Sequence, residues 1–273
     1  MLRDSQADHA GKTLLNRDPT KCESSEQEIE KLCRSLRLKY VRESFPEINL
    51  TAKAQRWEPA EVVKVLLETE RAGRDRSASE IRRSRAHFPA GKTFSVWDQA
   101  KSSISQATTS GLMTLEWITR KENLVICGPS GTGKSHFSEA LGHLAVEKGM
   151  NVAWFRTEEV GALIRRHRID DSMSKVLLPL AKMQLVIIDD LGMLNISPDA
   201  QEGLYRIIDA AYERRSVLIS SNIHPSGFDQ IMEKNLATAL VDRLLHHAHV
   251  VVTEGTSIRL REATSGMGVT PLG

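Results

Sequence analysis

The apolar run Asn123-Leu-Val-Ile-Cys127 passes directly into Gly128-Pro129-Ser130-Gly131-Thr132-Gly133-Lys134-Ser135, and an amphipathic stretch then continues to Glu147. This is G-x-x-x-x-G-K-[ST] between a strand and a helix, and it constrains the fold more than any other feature of the chain. The glycines let a loop wrap tightly, so that backbone N–H groups converge on phosphate oxygens. A helix starting near Lys134 adds its positive N-terminal end. Lys134 is placed to reach the β- and γ-phosphates of a nucleotide, and the Ser135 hydroxyl to ligate Mg²⁺. Gly128 to His136 is the expected nucleotide-binding segment, with ATP and Mg²⁺ as the expected cofactors.

Further on, Leu185-Val-Ile-Ile-Asp189-Asp190 is four apolar residues ending in two acids. A buried strand delivers such carboxylates to the edge of an open α/β sheet where ligands bind. Asp189 is the expected Mg²⁺ partner, and Asp190 is positioned to polarise an attacking water. An acidic pair without the upstream loop would read as a solvated turn. The next apolar strand, from Val217, ends in Asn222, whose amide suits a γ-phosphate sensor or a water-orienting group. Arg243, within Asp242-Arg243-Leu244-Leu245, is either an ordinary salt-bridge residue or an arginine offered to a neighbouring subunit.

From Asn123 onward strands and helices alternate. The pattern predicts strands at Asn123–Cys127, Asn151–Phe155, Leu185–Asp189, Ser216–Ser220 and His249–Thr253. It predicts helices at Lys134–Glu147, Glu158–His167, Ser174–Met183, Asp199–Arg214 and Leu236–His247. Five strands separated by helices imply an α/β fold, with a parallel sheet covered on both faces.

Before this region the character differs. Residues 26–92 read as a small all-helical domain, with Ile29, Leu32, Leu36 and Tyr40 at helical spacing. Pro59 sits in the first turn of a second helix, whose apolar stripe is Val62, Val63, Leu66 and Leu67. Residues 31–92 hold 15 Lys and Arg against 8 Asp and Glu, although the whole chain has a net charge of only +2. That asymmetry suggests an anionic partner, nucleic acid first, with a solvated basic face as the alternative. Arg71, Arg74, Arg82, Arg83 and Arg85 are the candidate DNA contacts here, with Arg165 and Arg166 a second basic patch.

Residues 93–121 read as a connector with a helix around Leu112–Ile118. Residues 1–25 and 263–273 read as loose tails, and 122–262 as the nucleotide-binding domain. No run approaches the roughly 18 consecutive apolar residues of a membrane span. Three cysteines without metal-ligand spacing suggest a reduced cytoplasmic protein. His246, His247 and His249 resemble a metal cluster, but neighbouring histidines point different ways, which favours packing or polar contacts. The four tryptophans read as core.

Together with Phe88-Pro89-Ala-Gly-Lys92-Thr93, Tyr212-Glu213-Arg214-Arg215-Ser216, Asp242–His249 and Gly255-Thr-Ser-Ile-Arg259-Leu-Arg261, these motifs carry a family resemblance. The chain resembles IstB-like proteins, the helper ATPases of IS21-type insertion sequences, which are relatives of DnaC-type helicase loaders. The resemblance implies an AAA+ core preceded by a helical domain. It also implies ATP- and DNA-dependent homo-oligomers on double-stranded DNA that engage a transposase. It makes Lys134 and Ser135 the phosphate and Mg²⁺ ligands, Asp189 the Walker B acid, Asn222 the first sensor, Arg243 a finger and Arg259 a second sensor. Asp190 stands where the family carries Glu, which shortens the carboxylate and predicts slow hydrolysis. A helicase loader and a nucleotide-dependent DNA scaffold remain as alternatives. A small-molecule kinase lacks a recognisable acceptor site.

Overall fold

Two positive-φ arginines divide the first part of the chain. In the computed structural model, which describes residues 22–168, 179–192 and 195–258, helix α1 (Cys22–Ser35) ends at Arg37 with φ 56°. There the Leu38 N–H returns to Cys33 O at 2.8 Å. Helix α2 (Lys39–Gln55) ends the same way at Arg56, φ 54°, with Trp57 N–H on Ala52 O at 3.0 Å. Both are helix stops in which a left-handed residue lets the next amide satisfy a carbonyl of the last turn, a role glycine usually fills. The expected continuous helical spacing through Tyr40 is therefore interrupted. Helix α3 (Pro59–Ala86) follows. The tail expected over residues 1–25 lies largely outside the described residues, and α1 already begins at Cys22.

The chain divides into two units, residues 1–77 and 78–273. In the first, the N-terminus of α2 lacks a cap from its own N-cap residue, Leu38. Buried Glu70 of α3 supplies one, accepting from the Tyr40 and Val41 N–H groups at 2.9 and 3.0 Å. Arg74 donates to Glu70 at 2.7 Å and to Arg37 O at 2.8 Å. Burial alone would raise the Glu70 carboxyl's pKa, but Arg74 and the two amides outweigh it and hold it below the ordinary value. The expected apolar stripe of α3 is half realised: Val62 and Leu66 are half-buried, whereas Val63 and Leu67 are exposed, because only one side of the helix meets its neighbours.

The second unit is built on five parallel strands: β1 (Asn123–Cys127), β2 (Val152–Arg156), β3 (Leu185–Leu191), β4 (Ser216–Ser221) and β5 (Ala248–Val252). Their order is β2-β3-β4-β1-β5. Helices α6 (Lys134–Glu147), α7 (Thr157–Arg168), α8 (Pro198–Ala211) and α9 (Lys234–Leu245) accompany it. Side chains alternate across the sheet. Leu124, Ile126 and Ile187 pack with Phe137 and Leu141 of α6, and with Trp117. Val125, Val186 and Ile188 pack with Val160, Leu204 and Leu240 of α7, α8 and α9. This is the sheet expected of a P-loop AAA+ core.

The connector holds two short helices, α4 (Gln106–Met113) and α5 (Glu116–Thr119), rather than one around Leu112–Ile118. Leu115, buried and at φ 59°, separates them. Half of the helix expected at Ser174–Met183 lies outside the described residues.

Asn123 pins the base of the sheet. Its side chain accepts from Val217 N–H of β4 at 2.9 Å and donates to Leu244 O of α9 at 2.9 Å, while its own N–H donates to His247 O at 2.7 Å.

Candidate functional site: a phosphate loop at the sheet edge

The loop Gly128–Ser135 joins fully buried β1 to α6 at the C-terminal edge of the sheet, where open parallel sheets bind ligands. Gly128 has φ 144° and lies so close to the Thr253 carbonyl that any side chain there would collide with it. The segment after β5 closes over the loop: Ile258 N–H donates to Gly131 O at 2.9 Å, and the Thr132 and Thr253 hydroxyls lie 2.8 Å apart. Burial pushes the Cys127 thiol up, opposed by the Lys134 charge, so it is an inert strand residue.

Lys134 is buried with its ammonium inside the loop, donating to Gly128 O, Pro129 O and Asn222 Oδ1 at 2.8, 2.8 and 2.9 Å. The sheet order explains the last contact. Strand β4 lies between β1 and β3, so Asn222, just past its end, falls beside the loop.

Asp189 is 4% exposed. Ser220 Oγ donates to its Oδ1 and also accepts from Asp190 N–H at 3.1 Å, so one serine of β4 organises both acids. Burial is the main force raising the Asp189 carboxyl above its usual range, the Asp190 charge adds to it, and hydrogen bonds from Ser220 and Ser135 pull it down. A carboxylate disfavoured by burial and in hydrogen-bond contact with a hydroxyl is a fitting donor pair for a hard divalent cation, which would restore the ionised form.

Asp190 is exposed, with φ 62°, at a register shift between β3 and β4. Aspartate tolerates this left-handed conformation better than most residues. Its side chain stands between two cavities. The first, about 370 Å³, is also lined by Gly131, Gly133, Lys134, Ser135, His136 and Asn222. The second, about 300 Å³, lies toward Arg156, Arg165 and Ser197.

Sequence reasoning missed the other wall of the first cavity, formed by Lys92 and by Val96, Trp97, Asp98 and Lys101 of the connector. Trp57 and Trp97 are only half-buried, unlike Trp117 and Trp154, and Trp97 packs at the margin of the core. Its ring meets the His136 ring edge-on at 5.1 Å. The two three-residue helical turns around it, Phe94–Val96 and Gln99–Lys101, gave no periodic signal. Ser220 was equally invisible, being one of three serines in β4.

The remaining candidates stand elsewhere. Arg243 does not line the cavity: its Nε lies 2.9 Å from Asp209 and its guanidinium 5.2 Å from the Tyr205 ring. Arg259 lies outside the described residues. Arg71 and Arg85 are exposed and Arg82 half-buried; Arg83 pairs with Glu147 at 3.4 Å. Arg165 lies 3.8 Å from Asp199, and Arg166 is exposed.

Sheet order, phosphate loop, acid pair and the Lys134–Asn222 contact together define a P-loop ATP-binding protein with an AAA+ core. The family model described as IstB-like ATP binding protein matches residues 31–266. The chain belongs to that family. It is 31% identical over 177 residues to the ATP-binding protein assigned to insertion sequence IS232 of Bacillus thuringiensis subsp. berliner, a match covering 64% of this chain and 71% of that one. It is 29% identical to the counterpart of IS5376 from Geobacillus stearothermophilus, over 86% of this chain and 95% of the relative. Among solved structures, the replication initiator DnaA bound to AMPPCP and single-stranded DNA superposes with a TM-score of 0.51 at 18% identity. That match spans 66% of this chain and 55% of DnaA. DnaI superposes with a TM-score of 0.50 at 16% identity, over 60% of this chain and 92% of that one. These two likenesses concern the fold.

Proposed function

We propose that the protein is an ATPase that assembles on double-stranded DNA and recruits or activates a transposase. The observation that carries the ATPase part is the convergence of Lys134, Asn222 and Asp190 on one cavity, with Ser135 and Asp189 adjoining. On ATP binding, Lys134 exchanges the Gly128 and Pro129 carbonyls for β- and γ-phosphate oxygens. Asn222, already bonded to Lys134, reports the γ-phosphate and orients water. Asp190 polarises that water from the cavity wall. Ser135 and Asp189 would hold Mg²⁺, which would supply charge neutralisation on the phosphates. Arg243 serves a neighbouring subunit, since it faces no phosphate site of its own.

The transposition role rests on membership in a family whose relatives are named for insertion sequences. Duplex DNA is the proposed partner because residues 31–92 carry the basic excess. Among the described residues no helix is long and apolar enough to cross a membrane.

Binding of duplex and single-stranded DNA, each with and without a non-hydrolysed ATP analogue, tests this reading. ATP-dependent multimers on duplex are expected, and Lys134→Ala should abolish them. Preference for single strands, with capture of a helicase, would replace it with a helicase-loader function.

A further inference from the structure

Helices α8 and α9 end beside one another, joined near their ends by the Arg243–Asp209 pair. Just past α8 the chain turns at Glu213, whose φ is 56°. Helix α9 is capped by His246, and His247 follows. One ligand atom from each of Glu213, His246 and His247 lies within 4.8 Å of the other two, and all three side chains are exposed. The two imidazoles are not splayed apart as their adjacency in sequence suggests: their centroids are 4.1 Å apart. The Tyr212 hydroxyl lies 3.0 Å from His246 Nδ1 and fixes that ring. His249, the third histidine of the string, pairs instead with Glu122 at 2.7 Å.

We propose that Glu213, His246 and His247 form a binding site for a zinc-class divalent transition-metal ion. Two imidazole nitrogens and one carboxylate oxygen are a common zinc donor set, with water in the fourth position. Nitrogen donors select such ions over Mg²⁺, which takes oxygen. A tetrahedral ion with ligands at about 2.0–2.1 Å sets its donors roughly 3.4 Å apart. Rotation of exposed side chains closes the remaining gap. The Tyr212 hydroxyl plays the part of the outer hydrogen-bond partner that orients a ligating histidine and raises its affinity. The ion clips residue 213 to residue 246, tying the ends of the two helices that carry Asp209 and Arg243. None of the three ligands lines the nucleotide cavity.

The test titrates the untagged full chain, free of nucleotide, with ZnCl₂ in excess Mg²⁺ by calorimetry, and with Co²⁺ by visible absorption. One equivalent of zinc per chain is expected, together with the intense Co²⁺ bands of a four-coordinate site. Glu213→Gln and His247→Asn should each weaken binding at least tenfold, and Tyr212→Phe by about 10-fold. His249→Asn should bind as the natural chain does. Circular dichroism confirms that each variant is folded. Absence of stoichiometric uptake overturns the proposal, as does uptake that survives the His246→Asn, His247→Asn double substitution.

Discussion

Replacing Asp209 with asparagine tests whether Arg243 is held in reserve for a neighbour. In the single chain its guanidinium is engaged three times, by Asp209 at 2.9 Å, by the Ala239 carbonyl at 3.2 Å and over the Tyr205 ring at 5.2 Å. The Arg243 and Asp209 side chains are 31% and 53% exposed, so solvent screens the ion pair, which is worth about 0.2–1 kcal/mol. The ring contact adds about 0.5–1 kcal/mol. With about 0.5–1.5 kcal/mol for the hydrogen bond to Ala239 O, freeing the arginine costs roughly 1–3.5 kcal/mol, of which Asp209→Asn removes at most about 1, a factor of about five. Steady-state phosphate release with saturating ATP and duplex DNA should rise by up to about fivefold in Asp209→Asn. Arg243→Ala should fall by about 10³, the lower end of the range for supplied arginines. Mixing Arg243→Ala with Lys134→Ala should restore activity once co-purification has established mixed assemblies, because the first mutant keeps an intact loop and the second an intact arginine. Co-assembly without restored activity, or normal turnover by Arg243→Ala alone, refutes a finger acting between subunits. If Arg243→Ala is dead and Asp209→Asn is unchanged, the finger stands but the pair is no restraint.

Because the folded-state pKa of Asp189 is raised, its contribution to stability is complete below the ordinary aspartate value and is lost as pH rises through the raised one. Asp189→Asn should thus stabilise the ligand-free fold at neutral pH, by about 0.5–2 kcal/mol, while losing Mg²⁺-dependent turnover. Equal melting temperatures for the two proteins from pH 4 to 8 would contradict this. Asp190→Asn should slow hydrolysis about 10²-fold and trap an ATP-bound assembly on DNA; unchanged phosphate release would assign water activation to another group. Asp190→Glu should turn over at least as fast as the natural chain, yet melt about 2–4 °C lower, since glutamate bears φ 62° less well. Removing residues 1–77 should leave ATP binding intact and weaken duplex binding. If the intact chain neutralises about five phosphates, its plot of log K against log salt should slope by roughly −4 to −5. An unchanged slope after truncation would place the DNA site on the arginines that remain, Arg82, Arg83 and Arg85 or Arg165 and Arg166.

The parts legible in the sequence were those in which one residue string dictates both backbone and chemistry. A glycine loop between an apolar strand and a helix fixes its own geometry, and acids after four buried residues must emerge at a sheet edge. The helix breaks at Arg37 and Leu115 were hidden because these residues take the left-handed conformation where glycine would have announced it, whereas Pro59 marked the start of the helix after Arg56. Trp97 and Ser220 were hidden because their roles arise from tertiary placement: one in an irregular connector, the other next to Asp189 only once β3 and β4 pair. The histidine string divides in the folded chain. Its third member is drawn off by Glu122, and the carboxylate it lacked arrives from Glu213, 33 positions earlier than His246.

Asn123 makes one mechanical joint out of three elements. It is the first residue of the strand that ends in the phosphate loop, and through Leu244 O and His247 O it grips the end of the helix that bears Arg243. A neighbour that takes hold of Arg243 pulls on a lever whose fulcrum is the root of β1. Sliding α9 past that root would leave buried polar groups of Asn123 and Leu244 without partners, a loss of about 1–3 kcal/mol per group. The cheaper response is for helix and strand to move together. In the proposed assembly, a grasp on one subunit's arginine would thereby be felt along β1 at its own phosphate loop.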